Sequence, residues 1–281
     1  MKFGANTFIW ESPFSTAAID LVDKVASMGF DVFEIAVEDP ALIDLPVMKA
    51  ALQRHGLGAI VCGAFGPGRD LSSDDPAVVR ACEEYLTWCI DAAAELGSPV
   101  VCGPMYASVG KARLLPPSER DAERQRTVQA LRKLAAYAGE RGIRLAMEPL
   151  NRFETDMINI VDQGLSLIDE IGSPYVGLHL DTFHMHLEEK DSAAAIRRAG
   201  DRVFHFHACE NDRGVPGTGQ VNWKAVAGAL KDIHYDGAVV IESFTPKVKT
   251  IAQAVCIWRP IAPDQDTIAS QGLKFLRGIL S

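Results

Sequence analysis

The chain has 281 residues, of which 48% are hydrophobic and 23% charged. This is the balance of a soluble globular protein with material for a large core. A net charge of −9 argues against nucleic acid as the main partner, because phosphate-binding surfaces are usually basic, and no apolar run is long enough to span a bilayer. The cysteines at 62, 82, 89, 102, 209 and 256 form no C-x-x-C pair and read as reduced, mostly buried thiols. MKFGANTFIW carries no secretory signal, so the expected location is cytoplasmic.

From the N-terminus onward one pattern repeats: a short apolar run, a polar loop, a long amphipathic segment, then glycine. The apolar runs are 2–10, 31–38, 57–65, 99–105, 143–150, 176–184, 203–210 and 238–244. They are rich in Val, Ile and Phe and bounded by turn residues, which predicts eight strands. Between them, segments such as VVRACEEYLTWCIDAAAELG and RTVQALRKLAAYAGERG repeat apolar residues at three- and four-residue spacing, the helical period. Glycines at 29, 56, 97, 142, 172, 200 and 237 stand where a left-handed cap would end a helix. Eight strands alternating with helices predict an α/β fold, a (β/α)8 TIM barrel, as one domain over 1–281. A doubly wound open sheet is the alternative, weakened because no G-x-G-x-x-G follows the first strand. Near the C-terminus, QGLKFLRGIL predicts a helix that closes the barrel.

In such a barrel the C-terminal strand ends carry the active site. Glu148 closes LAMEP, Asp181 closes LHLD, His207 closes FHFH and Glu242 closes VVIE. They come from strands five to eight, at separations of 33, 26 and 35 residues, each about one βα unit. Alternation along a strand puts His179 with Asp181, and His205 with His207, on one face. Taken singly, a carboxylate at a strand end more often caps the next helix, and a core histidine more often bonds a backbone carbonyl. Four such groups on consecutive strands point instead to a divalent cation, since three packed carboxylates would otherwise repel and take up protons. Three oxygen donors and one imidazole suit Mn²⁺ first, with Co²⁺ or Mg²⁺ as alternatives, rather than a thiolate-bound zinc. Glu34 in the second strand stands apart from this cluster and reads as structural.

The segments MEPLNRFET (147–155), LDTFHMHLEE (180–189), HFHACENDRGVPGTGQVNW (205–223) and YDGAVVIESF (235–244), with MGFDVFEI (28–35) and AVCIWRP (254–260), resemble the ketose 3-epimerases. This is the D-tagatose and D-allulose (D-psicose) 3-epimerase group of xylose-isomerase-like barrels. The resemblance implies a metal-dependent epimerase that inverts C3 of free ketoses of the tagatose, fructose, allulose or ribulose type through a cis-enediolate. It implies Glu148, Asp181, His207 and Glu242 as metal ligands, with Glu148 and Glu242 as the two catalytic acid/bases. Glu154, His184 and Arg213 would bind the O1–O3 end of the sugar, Cys62 would lie near the substrate, and Trp10 would line the pocket. It also implies a homodimer or homotetramer.

Two departures bear on the preferred sugar: Val109 stands nearest to a tryptophan that several family members carry, and the last ligand sits in ESF where EPF is common. Rival readings are a sugar-phosphate epimerase or isomerase using GVPGTG (214–219) with Lys224 and Arg213, and a keto-polyol dehydratase on the same metal. A multi-zinc DNA-repair endonuclease needs more histidines from the early strands and a basic face. A non-catalytic sugar-binding protein has no use for paired carboxylates.

Overall fold

The computed structural model describes residues 1–280. Eight strands form a closed parallel barrel in chain order. They are β1 (Lys2–Asn6), β2 (Val32–Val37), β3 (Gly58–Gly63), β4 (Val100–Gly103), β5 (Arg144–Met147), β6 (Val176–Asp181), β7 (Val203–His207) and β8 (Ala238–Ile241). Every predicted run contains one strand. Each strand is shorter than its run, and at β1 and β6 local hydrogen bonding explains where it stops. Asn6 accepts the Phe8 amide (2.8 Å) and turns Thr7–Ile9 into a 3-10 helix. Asp181 accepts the Phe183 amide (2.6 Å) and starts the helix Thr182–Glu188. These are N-cap bonds of short polar side chains, which compete with the ladder.

The expected glycine caps hold at Gly56, Gly97 and Gly172, each left-handed just past its helix. Gly237 does not cap a helix. Helix Trp223–Asp232 ends earlier, and His234 takes the left-handed conformation (φ 53°). The closing helix spans Gln265–Leu280 and buries Ile268, Leu273 and Leu276. A short helix, Lys249–Ala254, precedes it.

Strand alternation sorts the barrel into an outer and an inner set. Phe33, Ile35, Leu178, Leu180, Phe206 and Val239 pack outward into the main core beneath the helices. Val32, Ile60, Cys62, Val100, Cys102 and Ala146 form a separate apolar plug inside. Beyond that plug the interior turns polar: Glu34, His179, His205, His207 and Asp181 are all buried. The register His179↔His205 and Asp181↔His207 places these side chains side by side. No helix among the described residues is long and apolar enough to cross a membrane.

Candidate active site

The four side chains singled out at the strand ends come together. His207 Nδ1 lies 3.5 Å from Glu242 Oε2 and 3.9 Å from Asp181 Oδ2. Glu148 offers an oxygen within 4.8 Å of ligand atoms on His207 and, in another grouping, on Asp181. Glu148 is placed by its backbone: its amide donates to Gly103 O (3.2 Å). Gly103 has φ 121°, and a Cβ there would stand 2.6 Å from Gly63 O, so only glycine allows this approach of β4 to β3.

Glu34 is not apart from this group. Its carboxylate sits 2.7 Å from His207 Nε2, 2.6 Å from His205 Nε2, and accepts from Asn6 Nδ2 at 2.7 Å. Burial would raise its pKa, but the charges of His207 and His205 outweigh that and hold it far below the usual carboxylate range. Burial would lower the pKa of His207, but the charges of Glu34 and Glu242 outweigh that and raise it well above the ordinary imidazole value. With Nε2 facing Glu34, it is Nδ1, directed toward Asp181 and Glu242, that would give up its proton to a cation. That nitrogen is buried and has no hydrogen-bond partner. A carboxylate behind a histidine whose other nitrogen is bare is the arrangement found where imidazole binds a metal. The donor set therefore fits a divalent cation, with Glu148, Asp181, His207 and Glu242 as the residues that could hold it.

Electrostatics separate the carboxyl groups. Burial, reinforced by the charge of Glu242, drives Glu148 well above the ordinary carboxylate value. Asp181 is also buried, yet the Arg213 guanidinium beside it brings it down to about 2. Arg213 Nη1 donates to Asp181 Oδ2 (2.6 Å) and Glu242 Oε2 (2.9 Å), and the guanidinium lies 4.1 Å over the Phe183 ring. Arg213 occupies the left-handed region (φ 63°), a strain of about 1–2 kcal/mol for a residue with a Cβ. Its backbone is fixed on both sides: its amide donates to Glu210 O (2.9 Å) and its carbonyl accepts from Ser243 Oγ (2.7 Å). The serine of ESF thus gives Arg213 a bond that a proline there could not.

His184 stands on the first turn of helix Thr182–Glu188, buried. The Asn151 amide donates to its Nδ1 (3.0 Å), which places the proton of the neutral ring on Nε2. That atom is 3.1 Å from Arg213 Nη2 and 3.7 Å from Glu148 Oε1. Two N–H donors therefore converge, as they would on a shared oxygen. Burial lowers the pKa of His184 to about 3. Asn151 Nδ2 also holds Glu154 Oε1 at 2.7 Å.

Glu148, Glu154, His184, Arg213, Glu242 and Cys62 line one cavity of about 410 Å³, with Val109 on its wall. Trp10 is not among its lining residues. Its indole donates to Asp266 (2.6 Å) on the closing helix, because the 3-10 turn after β1 carries the ring toward that helix. Phe8 and Phe244, whose tilted rings lie 5.3 Å apart, line the cavity on that side instead.

Comparison with known proteins agrees with this geometry. The family model described as xylose isomerase-like TIM barrel matches residues 22–279. An L-ribulose 3-epimerase of Methylomonas sp. (strain DH-1) is 35% identical over 280 residues, 99% of this chain and 97% of that protein. A ketose 3-epimerase of Arthrobacter globiformis is 34% identical over 284 residues, 100% and 97% of the two chains. Among solved structures, a D-allulose 3-epimerase from Methylomonas sp. in complex with D-allulose superposes with a TM-score of 0.93 at 34% identity, covering 99% and 97%. The chain belongs to the ketose 3-epimerase family. It is an isomerase of the epimerase type.

Two residues of this epimerase that sequence reasoning passed over sit directly behind strand β7. Cys209 donates its thiol to Asp181 Oδ2 (3.3 Å) and lies 3.1 Å from Arg213 Nη1; burial and the Asp181 charge keep it well above the usual thiol value, hence protonated. Glu210, buried, accepts from the amides of Asn211, Gly217 and Val221 and from the Trp223 indole at 2.8–3.0 Å. Of the GVPGTG amides, carboxylates of the epimerase itself therefore take those of Gly217 (Glu210) and Gly214 (Asp212 Oδ1, 2.9 Å), and Lys224 is exposed outside the cavity. This removes the basis for a phosphate at that loop.

Proposed function

We propose that the protein inverts C3 of free ketoses with the help of one divalent cation held by Glu148, Asp181, His207 and Glu242. The observation that carries this reading is the meeting of Glu148 and Glu242 in one cavity, with the buried Nδ1 of His207 3.5 Å from Glu242 and without a hydrogen-bond partner. An oxygen-rich donor set with one nitrogen suits manganese, cobalt or magnesium. When bound, such a cation polarises the ketose carbonyl and lowers the cost of the negative charge that develops on it.

The remaining chemistry falls to side chains. One of Glu148 and Glu242 removes the C3 proton, leaving a flat cis-enediolate, and the other returns a proton to the opposite face. The raised pKa of Glu148 suits a carboxyl that must carry a proton part of the time. His184 Nε2–H and the Arg213 guanidinium converge where the O1–O3 end of the sugar would gain charge. Glu154, held by Asn151, offers a carboxylate to the hydroxyls of that end. The largely apolar wall of Phe8, Phe65, Leu150 and Phe244 limits the water that would protonate the intermediate indiscriminately.

The test is a panel of free ketoses incubated with Mn²⁺ and analysed by chromatography. C3 epimers that vanish on addition of chelator and return with Mn²⁺ or Co²⁺ are the expected result. Turnover by metal-stripped protein, or dehydrated products in place of epimers, would overturn the reading.

A further inference from the structure

Glu38 lies outside the groups considered so far. It follows directly on β2, and in a closed barrel whose strands run in chain order β2 stands across the mouth from β6. Glu38 nevertheless lines the same cavity as Glu148, Glu154 and Glu242. A ketose whose reacting carbons lie at those carboxylates points its far carbons toward the β2–β3 side. There the polar side chains on the cavity wall are Glu38, Cys62 and Arg69.

Arg69 has little left to give. Nη1 donates to Ala64 O (2.9 Å), Nη2 to Glu38 O (2.7 Å), and the guanidinium lies 3.8 Å over the Tyr85 ring. One N–H on each terminal nitrogen is therefore already committed to a backbone carbonyl. Glu38 is the reverse case. Its two oxygens share the single hydroxyl proton of Ser12, at 3.0 and 2.9 Å, so most of their accepting capacity is free.

We propose that Glu38 is the specificity residue for the distal end of the substrate. Its carboxylate accepts hydrogen bonds from the terminal hydroxyls of a neutral ketose and repels a ketose that carries a terminal phosphate. The inference rests on the free-ketose reading above and adds to it the group that enforces neutrality at the far end. Like charges at short range in a half-closed cavity are costly, and the one cation on that wall among the described residues, Arg69, already acts on Glu38 and holds its terminal nitrogens on backbone carbonyls.

The experiment uses the Mn²⁺-loaded protein and three probes: D-fructose, D-fructose 6-phosphate and the shorter D-ribulose. Apparent dissociation constants come from thermal-shift titration, and KM and kcat from chromatography. Wild-type protein should bind the phosphate ester at least about tenfold more weakly than D-fructose. Glu38→Ala should raise the ratio of fructose to ribulose dissociation constants about tenfold, the scale of one lost hydrogen bond to a charged group, and act on KM rather than kcat. Glu38→Gln keeps an acceptor oxygen. It should restore most of the fructose affinity and narrow the discrimination against the phosphate ester. If Glu38→Ala melts far below wild type, the near-isosteric Gln variant carries the test. Equal factors for fructose and ribulose, or unchanged phosphate discrimination in Glu38→Gln, would overturn the proposal. Wild-type protein that binds these ketoses but forms no C3 epimer would sink the functional reading alone, since the titration still reports on Glu38.

Discussion

The two halves of the barrel mouth follow one backbone plan and end differently. On β5–β8 each strand terminates in or next to a side chain that titrates: Glu148, Asp181, His207 and Glu242. On β3 and β4 the strands end in Gly63 and Gly103, and the wall above them is Phe65, Pro104 and Val109. One half presents reactive groups, and the other leaves volume and shapes it. The division is not complete, because Glu34 on β2 reaches across the interior to His207 on β7. The quiet half thus holds the reactive half from behind.

Breaking the reactive half should have the largest effect. Glu148→Gln and Glu242→Gln should each lower kcat by about 10³-fold or more, as loss of a general acid/base does. In D2O the wild-type enzyme should place deuterium at C3 of the product, read by mass spectrometry and NMR. Full retention of the substrate's C3 hydrogen in the epimer would show that the two glutamates do not work from opposite faces.

A smaller effect sharpens the link between the halves. Glu34→Gln removes the charge behind His207 without changing shape, and supporting partners of this kind are worth about 10–100-fold in metal affinity. Chelator competition monitored by metal release should show a loss of that size. Unchanged affinity would mean that His207 needs no help from β2. Smallest is Ser243→Ala, which frees the Arg213 carbonyl. One hydrogen bond of about 1 kcal/mol should lower Tm by about 2–3 °C and kcat/KM by less than about tenfold. A larger fall in kcat/KM at unchanged Tm would assign Ser243 a part in the chemistry itself.

Much of this was legible in the sequence, for a physical reason. Apolar runs of fixed period are what a buried parallel strand requires, so all eight strands showed. A carboxylate or imidazole closing such a run has few tolerable explanations, so Glu148, Asp181, His207 and Glu242 stood out. Glu34 did not, because it lies in mid-strand on a different arc, and only closure of the barrel brings β2 opposite the later strands. The alternation Val32, Glu34, Ala36 carries the inward signal once the barrel is closed. Cys209 and Asn151 act through hydrogen bonds to Asp181 and His184, which lie 28 and 33 residues away, and no spacing rule announces them. Trp10, which the resemblance puts at the pocket, is carried toward the closing helix by the Asn6 cap, which a strand reading of 2–10 hides.

Glu210 has a consequence beyond the exclusion of phosphate. It satisfies the amides of Gly217 and Val221 and the Trp223 indole before any sugar arrives. The loop that carries Arg213 is therefore tied to an internal counter-ion. To the extent of these bonds, the conformational entropy of fixing it, about 1–2 kcal/mol per residue, is met during folding and not at each binding event. Association with substrate then costs little more than the freedom of the sugar itself.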